Sequence, residues 1–153
     1  MVDVQKLTRP PHLIPEGTTS ADLAAAAKET LAAAVVSPED EKKTRMRARS
    51  YTFPFSFTDG TGKVWSGSFT NVVPSTGTRT AIGVMRSQLA GGVDYDSLDP
   101  LTRELTMMVA HLESTLDAKR PDWAKDLLAV LDPNVLRALW AEVTAHEATF
   151  LGL

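Results

Sequence analysis

The stretch Ser50–Asn71, SYTFPFSFTDGTGKVWSGSFTN, limits the fold more than any other part of this chain. Tyr51, Phe53, Phe55 and Phe57 recur at period two, with Thr52, Pro54, Ser56 and Thr58 between them. That alternation predicts an extended strand with one aromatic and one polar face. DGTGK supplies residues that tolerate positive φ, as a short hairpin loop requires. Val64–Asn71 then returns with Trp65 and Phe69 on one face and Gly67 between them. Two strands alone are marginally stable in water. The aromatic face therefore needs cover from elsewhere in the chain. Pro54 has no N–H to give to a ladder, so its strand lies at an edge or has one unpaired side.

The cover is predicted to come from the C-terminal half. From Thr78 the period turns helical, with Ile82, Met85 and Leu89 on one stripe and Gly91-Gly92 as a stop. Asp99-Pro100 is a cap followed by proline at the first helical position. The helix after it aligns Leu101, Leu105, Met108, Val109, Leu112 and Leu116. After KRPDW, Asp122 is expected to cap a short helix carrying Trp123, Leu127, Leu128 and Leu131. Asp132-Pro133 repeats the cap-then-proline device, and the last helix presents Leu136, Leu139, Trp140, Val143 and Phe150. The fold class is α+β: an extended N-terminal arm and peripheral helix, a small antiparallel sheet, and three to four helices packed on it. Residues 50–153 are expected to form the globular domain and residues 1–49 a partner-binding extension.

That extension lacks the means to build a core. Pro10, Pro11 and Pro15 make residues 1–18 an extended arm whose Leu7, Leu13 and Ile14 are suited to grooves on a neighbour. An alanine-rich helix capped by Ser20 follows, with Ser37-Pro38 as its expected end. EDEKKTRMRARS then places five cations in eight residues, Lys42 to Arg49. On a strand, Arg45, Arg47 and Arg49 would point to one side. Such a strip could touch nucleic acid, but Glu39, Asp40 and Glu41 offset its field and no second basic cluster supports a DNA groove. It reads better as a solvated linker or as a strip meeting acidic protein surface. Residues 1–92 carry 11 Lys/Arg against 8 Asp/Glu, and residues 93–153 carry 5 against 11. That polarity, +3 then −6, suits head-to-tail self-association or a charged partner.

The chain has no cysteine, which removes disulfides and thiolate chemistry. No apolar run nears the roughly 20 residues of a membrane span, and the N-terminus lacks a signal peptide's apolar core. Synthesis and use in a cytoplasm, or in something assembled there, are expected. The three histidines are His12, His111 and His146. No pair has His-x₃-His spacing, and HEATF lacks the second histidine of a metalloprotease helix. His111 and His146 could meet across two packed helices, yet core or boundary histidines with hydrogen-bond partners explain them better. Glu104, Glu113, Asp117, Glu142 and Glu147 read as solvated helix faces rather than a catalytic pair. The serines lack a G-x-S-x-G setting, and DGTGKVWSG lacks phosphate-loop spacing. The expectation is a protein that is not an enzyme, with no catalytic residue, metal or cofactor.

The segment from LDPLTRELTMMVAHLE through RPDW and DPNVL to EVTAHEATFLGL, with the preceding hairpin, resembles small structural or assembly proteins of tailed bacteriophages. The resemblance spans roughly residues 51–153. It implies a virion structural protein, made in the host cytoplasm, that binds neighbouring capsid or tail subunits in multiple copies. An assembly chaperone absent from the finished particle is the alternative. The residues expected to contact partners are Leu7, Leu13, Ile14, Arg45, Arg47, Arg49 and, at the sheet edge, Pro54.

Overall fold

Pro38 stands where a helix can begin, because its fixed φ and missing N–H cost nothing in a first turn. The structure, a computed structural model, describes residues 37–153. In it helix α1 runs Pro38–Met46, with Glu39, Asp40 and Glu41 in its first turn and Lys43 and Arg45 in its last. That arrangement complements the helix dipole at both ends. Residues 45–49 therefore do not form the strand on which the three arginines would share a side. Arg45 is helical, Arg47 lies in the turn that follows, and Arg49 leads into the first strand. Ser37-Pro38 opens a helix here. The compact unit runs Pro38–Leu153 and takes in this charged segment. Leu7, Leu13, Ile14, His12 and the Ser20-capped helix fall outside the described residues.

Strands β1 (Ser50–Thr58) and β2 (Val64–Val72) pair antiparallel in a two-stranded sheet, Phe53 opposite Phe69 and Phe57 opposite Trp65. Tyr51, Phe53, Phe55, Trp65 and Phe69 are buried, while Thr52, Pro54, Ser56 and Thr58 face outward. The alternation in the sequence is thus the alternation of the sheet. Asp59 closes the hairpin. Its Oδ1 accepts from the Thr61 and Lys63 N–H groups at 2.9 and 3.0 Å, and its Oδ2 accepts from Trp65 Nε1 at 2.8 Å. The Thr61 hydroxyl, and after it the Trp65 indole, hold the Asp59 carboxyl down at about 2.

A folded pKa below the unfolded one stabilises above the unfolded value, and that contribution vanishes as pH falls through the folded value. Asp59→Asn sets an amide against the Trp65 N–H. It should lower the urea midpoint at pH 7. The gap to the parent should close between about pH 4, near the unfolded aspartate pKa, and pH 2. A gap that persists unchanged at pH 2 would contradict this assignment.

Four helices complete the unit, α1 among them. Ser75 caps α2 (Thr76–Leu89), and Gly91 and Gly92 take positive φ just after its end. Asp99 caps α3 (Pro100–Thr115) by accepting from the Leu101 and Thr102 N–H groups. Asp132 caps α4 (Pro133–Leu151), which ends on left-handed Gly152. The connector between α3 and α4 differs from expectation. It forms two 3₁₀ turns, Asp122–Ala124 and Leu127–Ala129. The residue at the first cap is Pro121, and Asp122 pairs with Lys125 instead. Leu127 is buried, whereas Leu128 and Leu131 are 67% and 94% exposed.

The core lies between the aromatic sheet face and helices α3 and α4, with Phe53, Phe69, Met108, Leu112, Leu127, Leu139 and Val143 fully or almost fully buried. Trp123 joins the sheet's ring cluster, edge-on to Trp65 at 5.3 Å and to Phe69 at 5.6 Å. Each well-placed aromatic pair adds about 0.5–1.5 kcal/mol beyond area burial. Among the described residues, no helix is long and apolar enough to cross a membrane.

Candidate functional site

The bonds Asp59 N–H to Lys63 O and Val73 N–H to Arg49 O put the odd-numbered residues of β1 in the hydrogen-bonded pairs. Even-numbered residues therefore turn their backbone groups outward. The outer edge of β2 is covered. Asp117 N–H donates to Thr70 O at 2.9 Å, Leu116 bridges to Asn71, and Trp123 Nε1 donates to Ser66 O at 3.0 Å. The outer edge of β1 meets no further strand among the described residues. Pro54 is even-numbered, so its ring nitrogen lies on that outer edge, where a donor is missing. Proline at such a place protects an edge from indiscriminate pairing. Ser50, Thr52, Ser56 and Thr58 flank it with outward backbone groups.

The basic residues do not converge. Arg45 pairs with Glu41 at 3.5 Å, Lys42 with Glu142 at 3.9 Å, and Arg49 Nε donates to Val73 O at 3.5 Å. Lys42, Lys43, Arg45, Arg47 and Arg49 are exposed, but Arg45, Arg47 and Arg49 do not form the one-sided strip that a strand would give.

The histidines are drawn into the fold by separate partners. His146 is fully buried. Its Nε2 lies 2.8 Å from the Ala48 carbonyl, which can only accept, so Nε2 carries the proton. Nδ1 then accepts from Asn71 Nδ2 at 2.8 Å. The imidazole leans on the Tyr51 ring at 5.2 Å. One side chain thus ties α4 to the α1–β1 turn and to β2. Asn71 Oδ1, also buried, makes no hydrogen bond with the described residues.

His111 pairs with Glu147, not with His146. Its Nε2–H donates to Glu147 Oε1 at 2.7 Å, and its ring stands edge-on to Trp140 at 4.8 Å. Glu147 is buried, which corrects its expected place on a solvated face. Glu113 likewise holds Arg120 in a partly buried pair. Among the described residues, no three metal-ligating side chains gather.

Two open grooves bracket the connector. One, about 540 Å³, lies between the hairpin turn and Ala129–Pro133, beside Trp65 and Leu131. The other, about 340 Å³, lies between α2 and α3 with Leu128 at its lip. Neither was legible beforehand, because both depend on the connector forming 3₁₀ turns that leave Leu128 and Leu131 outside. No protein-family model, curated protein or solved structure matches the chain.

Proposed function

We propose that this protein acts by binding, as a structural component of a tailed-phage virion that contacts neighbouring capsid or tail subunits. The observation that carries the binding role is how side chains are used. His111, His146 and Glu147 serve internal packing, whereas Leu128 and Leu131 stand exposed beside grooves. Exposed leucines beside concave surface leave apolar area that a partner can cover. The outer edge of β1, interrupted at Pro54, is a second contact surface, and residues 1–36 supply the anchors Leu7, Leu13 and Ile14. The assignment to a phage particle rests on the resemblance of residues 51–153.

Density-gradient fractionation of a particle-producing lysate tests the proposal. The chain should comigrate with finished particles and stay with them through a high-salt wash. A chain found only in soluble fractions, or only with immature assemblies, would replace this reading with the transient assembly chaperone.

A further inference from the structure

We infer that the groove between α2 and α3 receives residues 5–14 of a second copy of this chain. The inference deepens the proposed function and rests on its reading of residues 1–36 as a partner-binding segment. Met85 and Leu89 of α2, Val109 of α3 and Leu128 of the connector give the groove an apolar lining; Glu113 and Asp126 give it an acidic rim. Arg120 already neutralises Glu113, so Asp126 leaves the rim net negative. Helix α2 has one buried residue, Ile82, and Leu128 is two-thirds exposed. The groove therefore has apolar surface left to cover.

The segment QKLTRPPHLI is complementary to it. It carries Lys6 and Arg9 with no carboxylate, and places Leu7, Leu13 and Ile14 around Pro10-Pro11. Two prolines restrict φ before binding, which lowers the ordering cost for an extended ligand. With residues 21–36 in the expected alanine-rich helix, the segment from Pro15 to Val36 can span about 45 Å, enough to reach a neighbouring molecule. A contact between different surfaces of successive copies builds rings or open rows, the geometry that a component present in many copies needs.

Because the chain has no cysteine, single cysteines report this contact cleanly. Full-length Leu13→Cys and full-length Gln88→Cys, the latter at the rim of the groove, are mixed and treated with a short bismaleimide. Mixed dimers should form, and Leu128→Ser in the Gln88→Cys chain should cut their yield at least tenfold. Ala145→Cys, on the exposed side of α4 and away from the groove and the sheet edge, should give a comparably low yield. Leu128 is exposed, so its substitution leaves the fold intact.

No mixed dimer, or an equal yield at Ala145→Cys, would overturn the inference. So would cross-linking that occurs only when both cysteines are in one chain, because the segment would then occupy its own groove. These outcomes leave the particle-association result untouched, so the two proposals fail separately.

Discussion

His146→Ala should lower the stability of the compact unit by about 4 kcal/mol, from the cost of deleting a large buried side chain and orphaning its partners. The imidazole is fully buried and packs on the Tyr51 ring. Removing it leaves a cavity that the surrounding helix and sheet can only partly close. It also strands the Ala48 carbonyl and Asn71 Nδ2. Asn71 already has an unpaired Oδ1, so its whole amide would then be buried without a hydrogen-bond partner for its side chain. Urea denaturation at neutral pH measures the effect. The double variant Asn71→Leu/His146→Leu should lose less than His146→Ala, because replacing both partners leaves no orphaned side-chain amide. A loss under about 1 kcal/mol for His146→Ala would show that this cluster does not hold the three segments together.

Gly67→Ala should cost about 2–3 kcal/mol by overpacking. A Cβ at Gly67 would lie 2.0 Å from Pro121 Cγ, 3.0 Å from its Cβ and 3.2 Å from its Cδ. A proline ring cannot swing aside as a long side chain does. The segment from Leu116 to Trp123 must then move off β2, carrying with it the bonds from Asp117 to Thr70 and from Trp123 to Ser66. Trp123 would also leave the rings of Trp65 and Phe69, so tryptophan emission should shift to longer wavelength. Pro121→Ala removes Cγ and Cδ, and the double variant Gly67→Ala/Pro121→Ala should recover most of the loss. A Gly67→Ala protein with parental stability and emission would contradict the contact.

Features set by local chemistry were legible in the sequence. The period-two aromatics of β1, the DGTGK turn and the two Asp-Pro helix starts each depend on a few adjacent residues, and each stands as expected. Ser37-Pro38 was ambiguous, because proline both ends one helix and begins the next. The acidic-then-basic order of residues 39–45 is the signal that favours a start. In the connector, apolar spacing suggested a helical stripe. Short Asp-capped turns formed there instead, with Pro121 set against Gly67.

The polar contacts in the core were hidden for another reason. His146 finds Asn71 75 residues away and Ala48 98 residues away, and His111 finds Glu147 36 residues away. Nothing in the spacing of a single helix could name those partners. Hydrogen-bonded core histidines were expected in kind, though their particular partners were not.

Quantitative mass spectrometry of purified particles, counting this chain against the major shell and tube proteins, tests the central proposal most directly. A fixed stoichiometric ratio is the predicted result, and its value would identify the lattice that the chain decorates. Absence from finished particles, with abundance in the producing cells, would contradict it.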